Sequence, residues 1–353
     1  MSTAPPAVED GQDVDDSPVR NVEPAMLKSA RAAWGGYLLG LVALAVVLAL
    51  VTQDAYFTTL AASGLLFAGL AVAWNILGGF GGQFSLGHAV FFGIGAYSVA
   101  LLKVDHGLPA PLGLVVGVLV CAVLALVLSW PLFRLRGPFF SIGTLALSQV
   151  ALTLATYFEW TGGTRGVQIP FTELPITEPE TWVAVFFGYL ALCLAVSLWL
   201  IRSRLGYYLV AVRDDEDAAS ASGANPLAVK SAAFALSAGL TGLGGGLFVL
   251  YLGFLDPPSF LSAIDIGAFI PLLALIGGIG TVVGPVLGAF LLQPGEAYLR
   301  GELAGSSAGL SQGLVGLLLV LAALFFREGL WGKAQQIGKR LRAGRRGGAR
   351  DRG

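Results

Sequence analysis

Four polar side chains stand close together in a stretch that is otherwise apolar or glycine: Asn75, Gln83, Ser85 and His88. Two amides, a hydroxyl and an imidazole offer uncharged hydrogen-bond donors and acceptors. Such groups can line a polar pathway without carrying a fixed charge. They suit covalent or metal chemistry poorly. The chain has only two histidines, His88 and His106, and no Ser/His/Asp set, carboxylate pair or metal-ligand cluster stands out. A proton-carrying His88 would call for a carboxylate at membrane depth. Asp54, Asp105, Glu159, Asp256, Asp265, Glu296 and Glu302 all fall at the outer ends of apolar runs or in loops. Two roles stay open for the four residues: lining a polar pathway, or hydrogen-bonding neighbouring helices and holding a bundle together.

A second constellation is charged. Arg213, Asp214, Asp215, Glu216 and Asp217 lie within a polar segment, residues 202–227, the largest between two apolar runs on the expected inner side. Its middle reads as a short amphipathic helix outside the membrane, with Leu209, Val212 and Ala219 on one strip. Gly223 is a good C-terminal stop, and Asn225-Pro226 supplies an N-cap and a first-turn proline for the next helix. A bare connector has no need of such length; a docking helix for a cytoplasmic partner accounts for it. The chain has no phosphate-cradling loop of its own. Gly332-Lys333 is followed by Ala334 and Gly338-Lys339 by Arg340, where Ser or Thr is required. No enzymatic activity is expected of this chain.

The elements that position these groups are membrane spans. Of the 353 residues, 56% are hydrophobic and 12% charged, about half the charge of a soluble domain. A hydrocarbon core about 30 Å thick needs roughly 20 apolar residues per helix. Ten runs qualify: 34–53, 57–77, 84–103, 111–130, 138–158, 181–201, 228–252, 266–280, 282–300 and 309–326, with the boundary between the eighth and ninth weakly marked and partial re-entry compatible with it. The expected fold is all-α and polytopic, with about ten transmembrane helices. Residues 1–30 form an acidic, disordered cytoplasmic tail, 31–330 the transmembrane domain and 331–353 a basic cytoplasmic tail. With the N-terminus inside, eighteen Lys and Arg fall on the inner side and three, Lys103, Arg165 and Arg300, outside, as the positive-inside rule requires. Both termini are then cytoplasmic, and the basic end sits against anionic inner-leaflet lipid. Cys121 and Cys193, each inside an apolar run, read as packing residues.

Forty-nine glycines mostly serve close helix packing in lipid. Two clusters differ: Leu77-Gly78-Gly79-Phe80-Gly81-Gly82 and Ile276-Gly277-Gly278-Ile279-Gly280-Thr281 share one pattern after an apolar span. Paired glycine breaks in two halves are what transporter folds with internal repeats carry near their pathways, so the pattern is compatible with a repeat. The external segment 159–180, with four glutamates and three glycines, reads as a structured loop or surface helix and a landing surface for an external partner.

The order and spacing of several motifs resemble one family. They are Trp74-Asn75-Ile76-Leu77-Gly78-Gly79, Gly82-Gln83-Phe84-Ser85-Leu86-Gly87-His88-Ala89, Phe91-Phe92-Gly93-Ile94-Gly95-Ala96-Tyr97, Arg136-Gly137-Pro138-Phe139-Phe140, Thr161-Gly162-Gly163-Thr164-Arg165-Gly166, Arg213-Asp214-Asp215-Glu216 and Gly284-Pro285-Val286-Leu287-Gly288-Ala289. Together they resemble the LivM-type permease subunits of branched-chain amino acid ABC importers, over roughly residues 60–332. The resemblance implies a bacterial inner-membrane permease. Its partners would be a related second permease, two cytoplasmic ATPase subunits that carry ATP and Mg, and an external substrate-binding protein. No cofactor is expected in this chain. Arg213, Asp214, Asp215, Glu216 and Gly223 would belong to the element coupled to an ATPase, and Asn75, Gln83, Ser85 and His88 would line the path. Relatives carry urea, short amides or other amino acids, so those substrates, and a stand-alone secondary carrier, are the alternative readings.

Overall fold

Asp54 starts the first long helix by accepting a hydrogen bond from the Tyr56 amide, at 3.1 Å, which satisfies one of the open N-terminal donors. The computed structural model describes residues 37, 40–45 and 54–302, except 171, 173, 175 and 177. Residues 40–45 are helical. The acidic head, most of the run 34–53, the run 309–326 and the basic tail lie outside the described residues.

Helix α1 (Ala55–Asn75) passes into a turn of π-helix, Ile76–Phe80. Residues 81–87 are not helical, and α2 (His88–His106) follows, ended by Gly107 at φ +62°. Next come α3 (Ala110–Leu132) and α4 (Pro138–Tyr157), each with proline in its first turn, where the missing N–H costs nothing. The segment after α4 holds two short 3-10 turns, Glu159–Thr161 and Gly163–Arg165, then β1 (Val167–Gln168). After α5 (Pro179–Arg202) come two short helices, α6 (Arg204–Asp214) and α7 (Glu216–Ala221), then α8 (Pro226–Leu252). Strand β2 (Phe254–Leu255) pairs antiparallel with β1, Val167 opposite Leu255 and Gln168 opposite Phe254. Helix α9 (Pro257–Leu261), a π-turn over Ala263–Ala268 and α10 (Phe269–Gly278) make one interrupted span. Helix α11 (Gly284–Glu302) completes the described part.

Among the described residues seven helical segments are long and apolar enough to cross a membrane: Ala55–Phe80, His88–His106, Ala110–Leu132, Pro138–Tyr157, Pro179–Arg202, Pro226–Leu252 and Pro257–Gly278. The eighth expected run therefore begins nine residues earlier than its apolar stretch, because Asp256 caps a proline-led turn by accepting from the Ser259 amide at 3.0 Å. It is separated from α11 by a turn at Ile279–Val283, so 266–300 belongs to two helices. Glu296 is buried 12 residues into α11, about 18 Å along its axis. It sits inside the helix, not at its outer end, because the helix runs on to Glu302.

Helix α8 packs along α2 and α3, and α1 packs against α5 and α11. Glycines set those distances. A Cβ on Gly95 would strike the Gly242 carbonyl, and one on Gly245 the Phe92 carbonyl. This is the backbone-to-backbone contact that drives helix association in lipid. Cys121 fits here as a small buried side chain, its thiol donating to the Phe91 carbonyl at 3.3 Å.

Candidate functional site

The irregular stretch Gly81–Gly87 interrupts the fold inside the bundle. His88 at its end bonds Ser237, which lies 11 residues into α8, about 16 Å along that helix. Open backbone groups at such depth survive only when protein or water satisfies them. Here side chains do so. Trp74 Nε1 donates to the Ser85 carbonyl at 2.7 Å, and Ser141 Oγ to the Phe84 carbonyl at 2.5 Å. Thr144 Oγ1 accepts from the Leu86 amide at 3.0 Å, and Ser148 Oγ donates to the Leu86 carbonyl at 3.4 Å. Three hydroxyls of α4, at positions 141, 144 and 148, thus lie on one helix face and hold the break.

His88 is fully buried. Its Nε2 lies 2.8 Å from Ser237 Oγ, and its Nδ1 3.2 Å from Ser85 Oγ. Ser237 spends its own proton on the Ala73 carbonyl, at 2.7 Å. The network therefore assigns the proton to Nε2 and leaves Nδ1 to accept from Ser85. Ser85 in turn accepts from the Gly87 amide at 3.2 Å. The ring ties α1, the break and α8 together as a neutral brace.

Asn75 does the same between the two glycine clusters. Its Nδ2 donates to the Thr281 carbonyl at 2.8 Å, and its Oδ1 accepts from the Gly280 amide at 2.9 Å. Gly280 has φ +71° and Gly82 φ +66°, a left-handed conformation that glycine alone adopts without strain. A Cβ on Gly79 would overlap Asn75 Oδ1 and sit 2.7 Å from the Gly280 nitrogen. The two clusters are in contact because neither carries a side chain there. Thr281 also accepts from the Gly284 amide at 3.1 Å, starting α11.

The amphipathic segment closes onto this pair. Leu209, Val212 and Ala219 are buried with Ile76, Phe80, Leu200, Val229 and Ala233. The apolar strip is thus covered by the chain's own helices. Arg213 reaches back, Nη1 donating to the Gly79 carbonyl at 3.3 Å, while its Nη2 pairs with Asp214 at 2.9 Å. Asp215 caps α7 by accepting from the Asp217 and Ala218 amides at 3.0 and 2.9 Å. Glu216 accepts from Lys230 Nζ at 2.6 Å. The Lys230 side chain is only 7% exposed, so this contact neutralises a charge that burial would otherwise penalise. Gly223, at φ +89°, ends the segment, and Asn225 accepts from the Ala228 amide at 3.2 Å to begin α8.

Of the expected path residues, Asn75, Ser85 and His88 are buried and their side chains engaged, and Gln83 is half-buried, its backbone N–H donating to the Leu77 carbonyl at 3.1 Å. Of the expected coupling residues, Arg213 reaches the glycine clusters at the Gly79 carbonyl and carries Asp214 with it, whereas Asp215 and Glu216 make their contacts within the α6–α8 segment. Sequence reasoning missed the hydroxyl row of α4. It also missed an apolar cavity of about 480 Å³ between α2, α3 and α4, lined by Tyr97, Leu101, Leu102, Val116, Leu154 and Trp160 among others. The row was legible in principle, since Ser141, Thr144 and Ser148 share a helical face.

Comparison with known proteins agrees with this architecture. Residues 56–323 match the family model of branched-chain amino acid transport system permease components. The chain is 32% identical over 289 residues to the high-affinity branched-chain amino acid transport system permease protein LivM of Salmonella typhimurium, covering 74% of this chain and 66% of that protein. It is 24% identical over 300 residues to the permease protein LivH of the same type of system in Escherichia coli K12, covering 77% and 93%. The autoinducer 2 import system permease protein LsrC of Salmonella typhimurium is 28% identical over 165 residues, 45% and 46% of the two chains. The alignment to LivM thus spans slightly less than two thirds of that relative's length. No solved structure matches the chain.

Proposed function

We propose that this chain, which belongs to the family of branched-chain amino acid transport system permease components, forms one half of the membrane core of an ATP-driven importer. It is a multi-pass membrane protein. The proposed assembly adds a related second permease, two cytoplasmic ATPases that bind ATP and Mg, and an external substrate-binding protein. The substrate is a branched-chain or similar hydrophobic amino acid, supported by the likeness to LivM. Charge distribution supports cytoplasmic termini.

One observation carries the reading: Arg213, on the short helix pair outside the spans, is hydrogen-bonded to the Gly79 carbonyl within the two touching glycine clusters. A push on α6 and α7 reaches Gly79 through the guanidinium, and Gly280 through Asn75. The lower ends of α1 and α2 then move with those of α10 and α11. Left-handed Gly82 and Gly280 are the places where the backbone yields without a side chain to obstruct it. In this mechanism Asn75, Ser85 and His88 brace the wall of the path, and Asp214, Asp215 and Glu216 shape the surface offered to the ATPase.

Reconstitution in liposomes tests it. The assembled complex, supplied with ATP, is expected to accumulate labelled leucine, displaced by valine and not by urea. Displacement by urea alone would move the substrate to the amide class. Accumulation by the lone chain, without ATPases, would make it a secondary carrier and overturn the proposal.

A further inference from the structure

Helix α4 has two unlike faces. Phe140, Thr144, Ser148 and Ala155 are buried against the bundle. Opposite them Ile142, Ala146, Gln149 and Thr153 follow one another at four-, three- and four-residue steps, a stripe along the middle of the outward side; all four are exposed, flanked by the exposed apolar Phe139, Leu145, Val150 and Tyr157. Gln149 lies 11 residues from the start of this 20-residue helix, about 16 Å along it and so near mid-membrane. Its side-chain amide makes no hydrogen bond among the described residues; only its backbone carbonyl is engaged, by Thr153 Oγ1 at 2.9 Å. Helix α3 is the control within the same molecule. Its outward residues at comparable depth, Val115, Leu119, Val120, Val123, Leu126 and Val127, are all apolar. That is a face for hydrocarbon. An amide on α4 at the same depth cannot hydrogen-bond to lipid and needs water, protein or solute beside it. A second observation agrees: the inner face of this same helix holds the break at residues 84–86 through Ser141, Thr144 and Ser148.

We propose that the Ile142–Thr153 stripe of α4 faces the permeation path, and that Gln149 is the group there that hydrogen-bonds the polar head of the passing amino acid. This rests on the importer reading above. A primary amide both donates and accepts, so Gln149 serves the carboxylate and the ammonium of a zwitterion in turn without a fixed charge. Ala146 beside it leaves room, and Ile142 offers an apolar neighbour to the side chain.

Cysteine accessibility in the full transporter complex tests this. Cys121 and Cys193 are buried and set the background. The probe is a charged, membrane-impermeant methanethiosulfonate, which reacts with thiolate, a form that needs water. Gln149→Cys is expected to be modified at least about tenfold faster than Val123→Cys, and leucine is expected to slow it. In uptake assays Gln149→Leu is expected to raise KM for leucine, with Gln149→Asn restoring part of the loss. Equal modification rates at positions 149 and 123, or a Gln149→Leu complex with unchanged KM, would overturn the inference. A complex that labels at position 149 but accumulates no amino acid would instead sink the importer reading and leave the hydrated stripe standing.

Discussion

His88 is fully buried with both ring nitrogens occupied, and that arrangement predicts what its loss does. His88→Leu strands the Ser85 hydroxyl and removes the tie to α8. Stranding a buried polar group costs about 1–3 kcal/mol. The expected result is a lower thermal midpoint of the purified complex, with KM for leucine unchanged in the protein that survives. A changed KM at an unchanged midpoint would mean that His88 touches substrate. The polar cluster was legible in the sequence because Asn75, Gln83, Ser85 and His88 stand out against apolar neighbours. Its role was not. The deciding partners, Ser237, Gly280 and Thr281, lie 149, 205 and 206 positions away, and no local pattern reaches across that distance. Gln149 was overlooked for the converse reason: one amide in an apolar helix says nothing until the face it occupies is known.

At the scale of elements, the helix pair α6–α7 and the two glycine clusters act as one piece. Arg213→Ala removes the hydrogen bond to Gly79 while leaving the apolar strip buried. It is expected to assemble normally and hydrolyse ATP, yet to transport less leucine per ATP; an unchanged ratio would discard the clasp. Glu216→Ala is expected to behave differently. It leaves the buried Lys230 ammonium without its carboxylate, a loss of roughly 1.5–3 kcal/mol for a charge-assisted hydrogen bond. That change is expected to loosen the α6–α7 segment, read as faster proteolysis there; wild-type resistance would show the ion pair to be incidental. The amphipathic strip, the stop at Gly223 and the cap at Asn225 were all readable from residue type and spacing. The split at Asp215 was not, since Asp214, Asp215 and Asp217 each have a side chain able to cap, and only backbone geometry selects one. The pairing of Val167–Gln168 with Phe254–Leu255 was equally hidden, because two residues are too few to show strand alternation.

Burial is unevenly shared across the molecule. The α1 span is 78% buried and the α8 span 72%, whereas α3 is 28% and α4 22% buried. Among these four spans hydropathy is highest in α3 and lowest in α4, the two least buried, so it does not follow burial, because a chain in lipid gains little from hiding apolar surface; the sequence located the spans and said little about which of them are central. Low burial therefore has two meanings here, lipid contact for α3 and a polar neighbour for α4, and charge distinguishes them. An arginine at the centre of a lipid-facing helix costs about 2.5–3.5 kcal/mol on insertion. The same residue near a helix end snorkels to the interface at far lower cost. Val123, 13 residues into α3 and 58% exposed, is central; Leu112, two residues in and 44% exposed, is terminal. Val123→Arg is expected to cut the yield of membrane-inserted protein severalfold, a smaller loss than the insertion energy of the isolated helix implies, since the spans on either side pull α3 into the bilayer. Leu112→Arg is expected to insert at close to the wild-type level. Equal yields for the two variants would mean that the outer face of α3 is covered by protein or water. The contrast between α3 and α4, on which the placement of the path depends, would then be lost.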